Sequence, residues 1–487
     1  MMVNLVSQST AENMKSIESF RIHTSSYSLL WILNGLFYLF MWLGLLWSSI
    51  ETLPVRLVIP LGSSELNEAD LVVLGFLSFW ALRVVLRGRI PSLGMNWQAY
   101  SIILLLIIPF FIGLAVAKPV IIALRDVRVP IYYATILPML DVLRKNTDLQ
   151  RLKRLIVISG FVSMITSIGL WFISQPNSTS DSSPQRYGIS SLNVAGNWLL
   201  FLAVASILFG DIKLSSRWRI GVVIILGLIQ TYIANDSRSI YAGTFGGLLF
   251  LVGTSWFKLR WSLSARGLRQ QWFKWKIIAF GTLISLVFLT ILIGIGLVWS
   301  GLDIRDTVSS NMVLRRFYSL VDPTIEGYGS QNRSDRLLSV SYGLELGLTN
   351  YGLGLGYGDN PFVNLDADQI YWLIQRNRIV GNPGNIVEGL LFFHNSFGWA
   401  FARLGFWLSI GYFFLVLVFI VRAWNAAWKT RESSLRVMLF GTLAFVVYTL
   451  LFGFGGGGFF NYFGPGMILW LIALSVLVRG VALVHEG

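Results

Sequence analysis

The stretch HNSFGWAFARLGFWLSIGYFFLVLVFIVRAWNAAWKTRESSLR, residues 394–436, decides the fold. From Ser396 it runs apolar for longer than the roughly 20 residues that cross a bilayer, and from Arg422 it turns basic. A histidine and an asparagine stand at its mouth. Working outward, comparable apolar runs begin near Leu29, Asp70, Tyr100, Val129, Leu155, Val194, Trp218, Ser239, Ile277, Val437 and Gly466. The pattern predicts an all-α integral membrane protein with about twelve transmembrane helices.

Composition agrees. Of 487 residues, 55% are hydrophobic and only 13% charged, against about a quarter charged in a soluble domain, and the mean hydropathy is +0.66. The net charge of +14 is carried by Lys and Arg clustered between apolar runs, where cytoplasmic loops are basic, so topology accounts for it and nucleic acid is not an expected partner. There is no cysteine, which excludes disulfides, thiolate metal sites and cysteine nucleophiles. Residues 1–28 are polar; the run that follows, Leu29 to Trp47, exceeds a signal-peptide core and lacks a small-residue cleavage site, so it reads as a retained first span.

The basic segments set an expected orientation. LRKNTDLQRLKR (Leu143 to Arg154), KLRWSLSARGLRQQWFKWK (Lys258 to Lys276) and the segment from Arg422 belong on the cytoplasmic side. Counting spans outward puts both termini inside. The expected organisation is a cytoplasmic tail over 1–28, transmembrane helices 1–9 over 29–299, one large extracytoplasmic loop over 300–393, and helices 10–12 with a short cytoplasmic tail over 394–487. Besides that loop, the outer face carries residues 174–193, the turn NDSRS from Asn235 and the glycine-rich GFGGGGFFNYFGP. Loops this long are usually functional or disordered; the aromatic content of this one favours a folded unit.

Four marked stretches share that outer side. QRYGISSLNVAGNW places Arg186 and Asn193 before a span, and NDSRSIYAG opens another with Arg238. RSDRLLSVSYGLELGLTNYGLGLGYGDN carries Arg336 ahead of a helix and a glycine loop; HNSF holds His394 and Asn395. In order and topology the chain resembles the O-antigen ligase and O-antigen polymerase superfamily of polytopic membrane glycosyltransferases. Members show Arg-x-x-Gly followed by Asn-x-x-Gly or Asn-x-x-Ala, Ser-Arg at the start of a span, Arg-x-x-x-Trp with a later Gly-x-Gly loop, and His-Asn-Ser-Tyr or similar near a Leu-Gly. Arg186, Gly188, Asn193 and Gly196 resemble the first element, with Arg and Gly one residue closer. Ser237 and Arg238 resemble the second, Arg336, Gly354 and Gly356 the third, and His394, Asn395 and Ser396 the fourth. Val340 stands where the pattern has Trp, and Arg403 where many members carry Glu.

The resemblance covers residues 186–405 and implies a multi-span fold with a large extracytoplasmic loop. It further implies transfer of a glycan from a polyprenyl (undecaprenyl-type) diphosphate carrier to a saccharide or lipid-core acceptor, without metal or cofactor, at a bacterial inner membrane with the site facing the periplasm or exterior. Ligases and polymerases share this donor chemistry and differ in acceptor.

The residue types suit that chemistry. A sugar leaving a diphosphate builds negative charge on phosphate oxygens, which guanidinium groups such as Arg238 and Arg336 bind bidentately. The attacking sugar hydroxyl must lose a proton, and a neutral imidazole such as His394 is suited to take it. Arg186, Asn193 and Asn395 are further substrate-binding candidates. Plainer readings stand beside these: His394 as a snorkelling or capping residue, Arg238 as a headgroup anchor, Arg336 as a surface charge, and Asn193 and Asn395 as helix N-caps. Gly354, Gly356 and Gly358 read as a turn rather than a phosphate cradle, since no Lys-Ser/Thr follows, and Asp366 with Asp368 as a solvated pair rather than a metal site. Arg125 and Arg128 sit near the same face. Two rival classes remain: a lipid-linked glycan flippase or transporter, and a non-catalytic subunit of a polysaccharide assembly complex.

Overall fold

The computed structural model describes residues 29, 31–44, 59–61, 64–66, 68–87, 93–115, 127–173, 194–211, 217–233, 238–261, 329–358, 395–455, 460 and 465–486. Apart from a small antiparallel hairpin, β1 (Ile59–Leu61) with β2 (Ser64–Leu66), the regular structure among the described residues is helical. In chain order the helices are α1 (Trp31–Gly44), α2 (Glu68–Arg87), α3 (Leu93–Ala115), α4 (Arg128–Ala134), α5 (Ile136–Val142), α6 (Asn146–Ile173) and α7 (Val194–Phe209). They continue with α8 (Arg217–Ile233), α9 (Arg238–Trp261), α10 (Gly329–Gly352), α11 (Ser396–Lys429), α12 (Ser433–Gly455) and α13 (Pro465–Glu486).

Among the described residues, six stretches are long and apolar enough to cross a membrane: Trp97–Ala115, Asn146–Gly169, Ser239–Phe257, Ser396–Lys429, Ser433–Gly453 and Gly466–His485. Trp31–Gly44 and Ala195–Phe209 are shorter apolar helices. Multiple apolar helices make the chain a helical, multi-pass membrane protein. The run from Val129 does not form one helix: it divides into α4 and α5 at Thr135. Pro138 supplies no N–H for the carbonyl of Ala134, so the ladder cannot run through. Thr135 closes the break by donating both its N–H (3.0 Å) and its hydroxyl (2.6 Å) to the carbonyl of Tyr132. The span expected from Ile277 lies outside the described residues.

The core is built around α12, which is packed by α7, α9, α11 and α13. In lipid there is no hydrophobic drive between apolar helices, so association rests on close backbone approach and interhelical polar contacts. Both occur here. On α9, Gly243 and Gly247 face the carbonyls of Tyr448 and Ala444, each 2.9 Å from where a Cβ would stand. Trp198 of α7 stacks on Phe445 with ring centroids 4.6 Å apart, and Thr231 of α8 donates to Asn197 at 3.1 Å.

Two ion clusters tie the first helices together. Asp70 of α2 pairs with Arg128 at 3.6 Å and accepts a bond from the Tyr132 hydroxyl at 3.0 Å. Further along α2, Arg83 pairs with Asp141 of α5 at 3.3 Å, and Arg144 pairs with the same carboxylate. Arg128 is thus held by Asp70.

The helix ends sort into two faces. On one, Asn146 donates to Glu432, the N–H of Asp211 to Ser433 (2.9 Å), and Arg479 to the carbonyl of Arg144. The segments meeting there are two of the three basic ones. The opposite face gathers the starts of α7, α9, α11 and α13 and the end of α12.

Candidate functional site

The marked residues map to that opposite face. Gly243 of α9 lies against Tyr448, two turns from the end of α12, which sets Arg238, the first residue of α9, level with the end of α12. Beyond that end, Phe460 stacks on Trp399 of α11 at 4.8 Å, one turn in from Asn395. Val194 opens α7 one turn before Trp198, which stacks on Phe445 of α12. Arg186, Asn193 and His394 lie outside the described residues; so do the side chains of Arg238 and Arg336, whose backbones belong to α9 and α10.

Asn395 is the residue best defined. It is fully buried with extended backbone, φ −114° and ψ 118°, and its Oδ1 accepts from the N–H of Phe397 at 2.8 Å and of Gly398 at 3.2 Å. This is an N-cap: two amide donors that no helical carbonyl reaches are satisfied by one side chain. The capping reading is therefore realised, and the atom best suited to grip a sugar hydroxyl is engaged by the backbone. Asn395 fixes where α11 starts and hence where the chain carrying His394 leaves it.

Arg336 is brought to the same place by α10, which lies directly on the first turns of α11. Gly343 and Gly347 form a Gly-x-x-x-Gly face: a Cβ on Gly343 would stand 2.4 Å from the carbonyl oxygen of Gly398, and one on Gly347 2.7 Å from that of Phe401. Only hydrogen fits. The contacts advance in the same direction along both helices, so the two run parallel and Arg336, seven residues before Gly343, projects about 10 Å past that contact, beyond the capped end of α11.

At the end of α10 the chain turns through two left-handed residues, Asn350 (φ 50°) and Tyr351 (φ 59°), into the glycine loop. Several of its amides are spent on the protein. Leu355 N–H donates to the carbonyl of Ala402 at 3.0 Å, and Tyr357 N–H to that of Pro109 at 2.9 Å. Gly354 (φ 70°) has Gly405 within 2.6 Å of where its Cβ would be, and Gly405 itself sits at φ 83°, a break in α11 that admits the loop. The loop is a docking turn between α3 and α11. With Leu355 and Tyr357 so bonded, their amides are not a phosphate cradle.

Beneath Asn395 lies an aromatic floor. Phe460 contacts Trp399, Tyr412 and Tyr133, the Tyr133 and Tyr412 hydroxyls are 2.6 Å apart, and Trp470 Nε1–H donates to both at 3.1 and 3.2 Å. Tyr357 packs on Trp399 from the glycine loop and donates its hydroxyl to the carbonyl of Leu106 at 2.7 Å. Neither this floor nor the α10–α11 contact was foreseen, although GLELG (Gly343 to Gly347) is a visible small-residue signal. Gly196, marked for the substrate segment, has a local role: the Gln230 amide occupies the place of its missing side chain, 2.1 Å from a would-be Cβ.

Among the described residues no group of three metal-ligating side chains is assembled; Asp366 and Asp368 lie outside them. The chain matches no protein-family model and no curated protein.

Proposed function

We propose that the protein is a membrane glycosyltransferase of the O-antigen ligase or polymerase type, moving a glycan from a polyprenyl diphosphate carrier to a saccharide acceptor. The observation that supports it most is convergence. The first residue of α9, the arginine-bearing end of α10 and the capped start of α11 open on one face, although they come from residues 238, 336 and 395. In this reading about twelve spans cross a bacterial inner membrane, the described face is the outer one, and residues 300–393 cover the site. Arg238 and Arg336 hold the diphosphate, Arg186, Asn193 and the neighbourhood of Asn395 meet sugar, and His394 accepts the acceptor's proton. Donor enters laterally, its tail staying in lipid.

The balance of the step is simple. The acceptor oxygen forms a bond to the anomeric carbon, the bond from that carbon to the phosphate oxygen breaks, the diphosphate leaves as an anion between the arginines, and the hydroxyl proton goes to imidazole. Stabilising that leaving charge in a water-poor site is worth about 3–4 kcal/mol per fixed donor. No metal is required by this scheme, because guanidinium charge replaces it.

Deleting the gene and resolving the glycan ladder is the test. Single-repeat material without long chains identifies a polymerase; carrier-bound long chains with none on the surface acceptor identify a ligase. An unchanged ladder, with carrier-linked glycan at its ordinary level, overturns the proposal. One observation favours a second reading, a lipid-linked glycan transporter: the buried Arg83–Asp141 pair and the Asp70–Arg128 pair, since ionisable groups inside a membrane bundle often lie on transport pathways. That reading predicts carrier-linked glycan trapped on the cytoplasmic leaflet.

A further inference from the structure

Helix α11 spans 34 residues and is broken at Gly405; its continuous part, residues 406–429, is about 36 Å long, against the roughly 30 Å of a hydrocarbon core. Where the bilayer sits along it can be read from its exposed side chains. Trp407, Ile410, Phe414, Leu417 and Val421 are all exposed and all apolar, and their spacing places them on one helical stripe. A stripe of this kind on a membrane helix faces acyl chains. It covers only about 21 Å. At one end Arg422 is exposed, so the hydrocarbon does not extend far that way. The missing depth of roughly 9 Å, or about six residues, therefore lies at the other end, level with Phe401 to Phe406.

At that level no α11 side chain is fully exposed: residues 402–405 are buried and Phe401 and Phe406 half-buried. What covers them is the end of α10 and the glycine loop: Gly347 lies against the carbonyl of Phe401, and Gly354 against Gly405. The outward side of this cover is itself apolar. Leu344, Leu348, Tyr351 and Leu353 are exposed, Tyr351 to 98%, and they carry the stripe past Trp407, whose indole N–H donates to the carbonyl of Tyr351 at 3.2 Å. Along α10 the composition changes in step, from GSQNRSDR over residues 329–336 to LLSVSYGLELGL over 337–348.

We propose that the second half of α10 and the loop to Gly358 are a re-entrant element, inserted into the bilayer beside α11 with Leu348, Tyr351 and Leu353 against acyl chains. Irregular backbone survives at membrane depth only when its polar groups are met by protein. The turn meets that demand at each of these points. The N–H groups of Leu353, Gly354, Leu355 and Tyr357 donate to the carbonyls of Asn350, Thr349, Ala402 and Pro109. The exposed polar side chains at the tip turn inward, Thr349 Oγ1 to the carbonyl of Leu346 and Asn350 Nδ2 to that of Gly354. Glu345, the one charged group on this half, lies before Gly347 and so above the Phe401 level, at the edge of the hydrocarbon. The charged first half, with Arg336, stays in water.

The absence of native cysteine makes the test clean. Single cysteines are placed by Leu348→Cys, Tyr351→Cys and Leu353→Cys, with Phe414→Cys as the lipid-facing reference and Asn332→Cys as the aqueous one. The full-length protein, alone in nanodiscs open on both faces, is treated with a charged water-soluble maleimide. The side chains at 348, 351, 353 and 414 are exposed, and folding is checked by gel filtration. Apolar surroundings raise a thiol's pKa, and one unit already cuts the reactive thiolate about tenfold. Positions 348, 351 and 353 should label at least about tenfold more slowly than 332, and a bimane at each should be quenched by lipids nitroxide-labelled on the acyl chain, as at 414. Labelling as fast as at 332, or no quenching by tail nitroxide, overturns the proposal. Because no other protein is present, a surface meant for a protein partner gives that same overturning result. The outcome is independent of glycan transfer.

Discussion

Replacing Asn395 by alanine separates a capping residue from a substrate ligand. Oδ1 accepts two backbone N–H groups, from Phe397 and Gly398, in a fully buried position. Alanine leaves both donors without an acceptor and without water. A lost N-cap costs about 1 kcal/mol in exposed helices and up to about 2, and each buried donor left unsatisfied costs about 1–3 kcal/mol. The two donors share one cap, so the expected loss is about 2–4 kcal/mol. Asn395→Asp keeps the accepting oxygen and should recover most of the stability. Unfolding followed by tryptophan fluorescence in mixed detergent micelles provides the measurement. Asn395→Ala as stable as the parent, or Asn395→Asp as damaged as alanine, refutes the cap. If the cap holds, lost transfer in Asn395→Ala reports displacement of the start of α11, whereas Asn395→Asp should keep turnover.

Gly343→Leu should separate α10 from α11, because even a Cβ would stand 2.4 Å from the Gly398 oxygen; the expected cost is about 1–3 kcal/mol, read by the same unfolding assay, and an unchanged midpoint contradicts the contact. Asp141→Ala takes the carboxylate away from buried Arg83, which keeps its bond to Asn34; breaking a buried pair costs about 3–5 kcal/mol, while the double replacement Arg83→Met with Asp141→Leu should be close to neutral. A double variant as unstable as the single one would show that the charges are not simply paired. On topology, a reporter fused after Gly358 should be extracytoplasmic and one after Arg266 cytoplasmic; the reverse labelling removes the proposed face from the donor leaflet.

The apolar runs, their basic ends and the position of Asn395 before Ser396 were all legible, because each is a local pattern: hydrophobic length, charge between spans, and a polar residue ahead of a helix. The break at Thr135 was legible in principle from Pro138, but total hydrophobicity from Val129 outweighed it. The pairs Asp70–Arg128 and Arg83–Asp141 could not be read, since partners 58 residues apart meet only through helix packing. The glycine loop read as a turn, which it is; its depth beside Gly405 depends on a left-handed break in α11 that a run of apolar residues conceals. Around the site, the sequence marked the residues that stand at helix starts and missed the glycines and aromatics that hold those starts together.

The central claim is that arginines hold a lipid diphosphate while a histidine takes the acceptor's proton. It is tested most directly by measuring donor binding and transfer together for the parent, His394→Ala and Arg238→Lys, purified in nanodiscs with a polyprenyl-diphosphate oligosaccharide. The account predicts that His394→Ala binds donor as the parent does and loses about 10²- to 10⁴-fold in turnover, while Arg238→Lys loses both, because an ammonium cannot reproduce the bidentate fork. A folded His394→Ala that transfers glycan at the parent rate, or that loses donor binding as severely as the arginine variant, would contradict it.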